Sequence, residues 1–201
     1  MSTIRILKIY NLLIETQPIK TKAVTCFCIF SFGDYLCQKI EIKYKIIKEF
    51  SLKRCLLQGS FGIFAAPYLH WQFCILIPRL FPEHQKYSVL KTLLYALTIN
   101  DGIFNFLFYF YMDLASGKGI DKTLNEFKRK YPQTMIDNWK FWPIISGINF
   151  TYVPIQYRVL FDNIGCIFWN IYLSYMQNKN HNNDKEEEIQ SLKTIYPNQH
   201  I

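Results

Sequence analysis

Four long apolar blocks separated by lysine-rich connectors set the terms on which this chain can fold. The blocks cover roughly residues 21–37, 55–81, 89–114 and 157–176. A helix needs about 17 to 25 mostly apolar residues to cross a bilayer, and all four qualify on that rule. In a soluble monomer they would expose far more apolar surface than such proteins do. Leu, Ile, Phe and Tyr recur at close, helix-like spacing with few prolines in the first and third blocks, and no alternating barrel pattern is visible. The expected fold is all-α, an integral membrane bundle of four transmembrane helices.

Average composition hides this. Half of the 201 residues are hydrophobic and 17% are aromatic, yet mean hydropathy is only +0.01. The polar stretch from Asn178 and the basic connectors dilute the apolar blocks. Residues 1–177 read as one four-span membrane domain, and 178–201 as a tail too polar to bury a core and expected to be disordered.

The segment 138–158 mixes Trp139, Trp142-Pro143, Asn149-Phe150, Val153-Pro154 and Tyr157-Arg158 with apolar residues. Each proline removes a backbone donor and disfavours helical geometry in the residue before it. Residues 141–154 are therefore expected to form a Pro-broken lead-in to the last span, re-entrant, interfacial or kinked, with Trp139, Trp142 and Tyr152 as interfacial anchors.

The net charge of +8 would suit nucleic acid or an anionic surface. Its placement favours the second. Lys39, Lys43, Lys45, Lys48, Lys53 and Arg54 lie in one connector, and Lys118, Lys122, Lys128, Arg129 and Lys130 in another. Both flank candidate spans, so the charge reads as juxtamembrane, and no nucleic acid partner is expected. Six cysteines fall in or beside apolar blocks without a CxxC pair or zinc-spaced histidines, and read as buried reduced thiols. No cleavable signal stands out at the N-terminus.

Catalysis would need convergent reactive groups. His70 stands alone in its span, no HExxH, GxSxG or Walker pattern is present, and the glycines at 117 and 119 have the wrong spacing for a phosphate loop. No catalytic, cofactor or metal site is expected.

Taken in order, Pro18, Thr21, Gly33-Asp34, Gln38, Pro67-x-x-His70, Asn138-Trp-x-x-Trp-Pro143, Asn149-Phe-x-x-Val-Pro154, Arg158 and Trp169-Asn-x-Tyr172 form a set that covers nearly the whole chain. The set resembles the peroxisomal membrane protein 2 family, whose members occupy peroxisomal and mitochondrial inner membranes. Thr21-Lys22-Ala23 and the run Arg158 to Phe161 followed by Asn163 look most like the peroxisomal branch. Departures are visible. Ala66 stands where the family usually has Gly, Gln72-Phe73 where it often has Trp-Tyr, and Asn100-Asp101 where it often has Asp-Gln. The last departure displaces the acid by one residue, roughly 100° around a helix.

The resemblance implies a multi-pass protein of the peroxisomal membrane, channel-like and passing small water-soluble metabolites without chemistry. The alternatives are a mitochondrial inner-membrane homeostasis protein of the same family, or a non-conducting scaffold. The bilayer is the implied partner, with a possible homo-oligomer and, through the segment 39–54, the peroxisomal membrane-protein import machinery.

Within the spans, Asp34, Gln38, His70, Asp101, Asn149, Arg158 and Asp162 are the candidate pore-lining or intrabundle polar residues. Charges at a helix centre cost about 2.5 to 3.5 kcal/mol on insertion scales, so they must pair or face water. Arg158 and Asp162, four apart, can neutralise one another. Asp34 suits helix-to-helix pairing or pore lining equally. Gly62 and Ala66 allow close helix approach, within the bundle or between copies.

Overall fold

The computed structural model describes residues 2–82 and 86–172, and among them every regular element is helical. The polar stretch from Asn178 lies outside the described residues. In chain order the elements are α1 (Ser2–Thr16), α2 (Pro18–Lys43), α3 (Leu52–Leu80), α4 (Ser88–Ala115) and α5 (Ile120–Tyr152). A short 3-10 turn (Ile155–Tyr157) leads into α6 (158–172).

Local chemistry sets the boundaries. Pro18 starts α2, where its missing N–H is no loss. Ser51 caps α3, its hydroxyl accepting from the Arg54 N–H at 3.3 Å. Helix α4 closes in a Schellman turn: Lys118 N–H reaches Asp113 O at 3.0 Å and Gly117 N–H reaches Leu114 O at 2.9 Å, with Gly117 at φ 84°. The same motif ends α2, with Ile46 N–H on Glu41 O at 2.8 Å, but there the left-handed position holds Lys45 at φ 58°.

Helices α2 to α6 alternate in direction, with α2–α3 the most extensive contact and α4–α5 the next. The loop after α2 and the loop after α4 therefore share one end of the bundle. The α3–α4 connection and the break before α6 share the other. Gly62 makes α2 and α3 meet closely, since a Cβ there would sit 2.9 Å from the backbone carbonyl of Cys26. The Gly62/Ala66 pair thus serves the bundle itself. Around this seam the core joins Phe30, Phe61, Leu69 and Phe73 to Trp142, Val159 and Trp169.

Helices α3 and α4 are long and apolar enough to cross a membrane. They differ in burial: only 11% of the apolar window of α4 is buried inside the bundle, against 44% for α3. Leu90, Leu94, Ile99, Ile103 and Leu107 of α4 face outward, as a lipid-exposed helix requires.

Three expectations are corrected. Helix α5 runs unbroken through Pro132 and Pro143, and only Val153-Pro154 breaks the chain before α6. Pro143 is held in helix because Trp142 beside it is locked among Phe141 and Trp169, packing that outweighs the one bond the proline removes. Trp142 is accordingly a core residue, while Trp139 and Tyr152 are exposed. The lysine-rich stretch 120–130 is the first third of α5 rather than a connector, supported by the Glu126–Lys130 pair and by Phe127 and Tyr131 packing together at 4.8 Å.

Candidate functional site in the bundle interior

Polar side chains occupy three levels along the inside of the bundle. At the α2–α3 loop end, Asp34 accepts from Arg54 Nε at 2.8 Å, and Glu41 accepts from Arg54 Nη2 at 3.1 Å. Gln38 completes the level: its Nε2 donates to Asp34 Oδ2 at 2.7 Å and to Ser51 O at 3.0 Å, and its Oε1 accepts from Ser51 N–H at 2.7 Å. Asp34, Gln38 and Glu41 project from one face of α2 because they lie three to four residues apart. One guanidinium holding two carboxylates closes this end.

The middle level surrounds a cavity of about 70 Å³, room for more than one water by volume. Asp101, Asp162, Asn100, Asn138 and Ser146 line it beside Trp142 and Trp169. A relay fixes its wall: Tyr95 O–H donates to Gln72 Oε1 at 2.9 Å, Gln72 Nε2 to Tyr68 Oη at 3.0 Å, and Tyr68 O–H to Asn100 Oδ1 at 2.9 Å. Asn163 Nδ2 meets Cys26 Sγ at 2.9 Å nearby.

At the opposite end Arg158 lies over the Phe150 ring at 5.5 Å and its Nε donates to Val153 O at 3.3 Å. Asn149 Nδ2 donates to Arg158 O at 3.1 Å across the proline break. Arg158, Ser88, Thr92 and Thr151 line a second cavity of about 320 Å³. Lys22 Nζ sits 2.8 Å from His70 Nδ1 and 3.1 Å from Cys74 Sγ.

The structure thus brings Asp34 and Gln38 together, and Asp101 with Asp162, but forms no Arg158–Asp162 ion pair among the described residues. Asp34 is matched by Arg54, and Asp162 lines the central cavity while Arg158 lines the outer one. His70 is not solitary, since Lys22 meets it. Arg54, Glu41, Lys22 and Asn138 were missed by sequence reasoning. Arg54 read as one more connector charge, and only its place one turn inside a capped helix start hinted otherwise.

Comparison with known proteins fits this architecture. The model of the Mpv17 / PMP22 family matches residues 113–174, from the end of α4 into α6. PXMP2/4 family protein 2 of Dictyostelium discoideum is 31% identical over 190 residues, covering 89% of this chain and 96% of the relative. The chain belongs to the Mpv17/PMP22 family. Peroxisomal membrane protein 2 of Bos taurus is 29% identical over 85% of this chain and 88% of its own length. Protein SYM1 of Saccharomyces cerevisiae is 27% identical over 90% and 94%. No solved structure matches the chain. Within this Mpv17/PMP22 chain, the matched region carries Asn138 and Asn149 on α5 and Arg158 and Asp162 on α6, so two helices supply the site from it.

Proposed function

We propose that this chain is a four-span protein of the peroxisomal membrane that forms a pore for small water-soluble metabolites and carries out no chemistry on them. The observation that carries the proposal is the contrast between inside and outside. Helix α4 turns leucines, isoleucines and phenylalanines outward, while Asp101 and Asp162 line a cavity between the helices. Ionisable groups at that depth mark solute or ion paths by default. Family membership and the name of the bovine relative support the peroxisomal assignment. The path is interrupted, with Arg54 bridging α2 and α3 at one end and, among the described residues, no lining residue shared by the central and outer cavities.

That interruption also favours a second reading, a non-conducting scaffold whose polar interior only holds the helices. Purified protein in a planar bilayer separates them: unitary conductance steps are expected for the pore, more frequent in Arg54→Gln. Silence in both proteins at all voltages would leave the scaffold. A fluorescent fusion should overlap a peroxisomal marker, and overlap with mitochondria alone would move the chain to the family's mitochondrial branch. Neutralising the lysines of 39–53 should mislocalise it if that end binds the import machinery.

A further inference from the structure

The central cavity has an unbalanced charge. Among the described residues its only charged lining residues are Asp101 and Asp162, from α4 and α6, and neither takes part in an ion pair there. Arg54, the cation of the neighbouring level, is bound to Asp34 and Glu41. A carboxylate held away from water needs a compensating positive charge or a proton.

A second, independent feature points to the kind of occupant. Asn138 reaches the same cavity from α5, is 1% exposed, and its Oδ1 has no hydrogen-bond partner. Asp101 Oδ2 is likewise buried and unpartnered. Both orphaned atoms are acceptors, and among the described residues no cationic side chain lines the space. Carboxylate and amide oxygens are ligands that suit hard cations. Two carboxylates and one amide oxygen are fewer ligands than the roughly six to eight oxygens a calcium ion takes.

We propose that this cavity binds a small monovalent cation through the carboxylates of Asp101 and Asp162 and the amide oxygen of Asn138. The site deepens the pore reading, on which its role in permeation rests, by giving the path a cation-holding station at its centre. Binding itself is an equilibrium property and does not need conduction.

The test therefore uses full-length protein in detergent micelles, followed by intrinsic tryptophan fluorescence, because Trp142 and Trp169 line the cavity. Thermal unfolding is recorded in sodium, potassium and ammonium chloride, each titrated against N-methylglucamine chloride at constant ionic strength. A saturable rise in Tm with at least one small cation, absent with N-methylglucamine, is expected, and Asp101→Asn and Asp162→Asn should each abolish it. Asp121→Asn, on the exposed start of α5, should keep it. Should the cavity variants not fold, radioactive sodium binding to the wild-type protein, displaced by unlabelled small cations but not by N-methylglucamine, gives the same answer. Identical behaviour in all four salts, with stability following pH alone, would mean that a shared proton neutralises the pair and overturns the proposal. Ion-specific shifts that survive in both variants would also overturn it. A silent bilayer recording beside an ion-specific shift would refute the pore and leave the site standing.

Discussion

Replacing Arg54 by Gln strands two carboxylates at once. Asp34 is 2% exposed and Glu41 5%, and the guanidinium that serves both lies within 2.8 Å of one and 3.1 Å of the other. At an effective dielectric near 20, unit charges about 4 Å apart attract by about 4 kcal/mol. Desolvation offsets part of that, and removing one member of a buried pair typically costs about 3 to 5 kcal/mol. The Arg54 side chain keeps 34% of its exposure; water therefore reaches it, and the expected loss is at the lower end, about 3 kcal/mol. Arg54→Gln should thus lower the unfolding temperature of the solubilised protein and its membrane yield. Adding Asp34→Asn should restore part of the loss, because the new amide oxygen can still accept from Gln38 Nε2, which donates to this side chain at 2.7 Å. A double-mutant cycle measures the coupling. Wild-type stability in Arg54→Gln, or additive losses in the double variant, would refute the idea that this cluster clamps α2 to α3.

Gly62→Ala should destabilise by about 1 to 3 kcal/mol through overpacking against the Cys26 backbone, whereas Gly147→Ala, with nothing within 4 Å of its Cβ, should be neutral or slightly stabilising; thermal unfolding of both decides. Lys45→Gly should stabilise by about 1 kcal/mol, since it relieves a side chain held at φ 58° in the turn that ends α2. At the surface, hydrogen bonds from Lys118 and Lys130 hold the Glu126 carboxyl down at about 2, below its ordinary 4.5. A depressed carboxylate adds stability that is complete above its unfolded pKa and is lost as pH falls toward the folded value, so Glu126→Gln should flatten the acid limb of a stability–pH profile below 4.5 and leave the neutral limb unchanged in shape.

The sequence made much of this architecture readable, but unevenly. Apolar length alone marked α3 and α4 because a lipid-facing helix must be apolar along its whole span. The pairing of Asp34 with Gln38 was visible as one helical turn of separation. Their partner was not, since Arg54 reaches them only after the chain has reversed, and thirteen residues of separation from Glu41 carry no periodicity. Pro143 misled for the opposite reason: local backbone preference favoured a break, and the aromatic cluster around Trp142 overrode it. Asn138 looked like part of a motif of bulky aromatics, yet it lines the central cavity from α5 beside Trp142 and Ser146.

The Asn100-Asp101 displacement has a structural resolution. Helix α4 widens at Ala96–Asn100, where the Asp101 N–H bonds the Ala96 carbonyl five residues back instead of the Leu97 carbonyl four back. A wide turn absorbs one extra residue, and so Asn100 and Asp101 both line the cavity despite the 100° that separates neighbours on an α-helix. Helix α3 widens at Gln72–Leu76, just before Pro78, whose ring would crowd the Cys74 carbonyl in a regular helix. The two wide turns are tied through Tyr95 and Gln72. Each deprives a carbonyl of its usual donor, and in a bilayer such a group needs another. For Leu97 that donor is the Trp139 indole, 2.8 Å away on α5. Trp139→Phe keeps a large ring on an exposed position while removing the N–H, so packing changes little and the carbonyl is left short of a bond. The expected loss is about 1 to 3 kcal/mol, with faster hydrogen exchange at residues 96–101. Unchanged exchange there would mean that the wide turn satisfies itself, and that Trp139 is an interfacial anchor only.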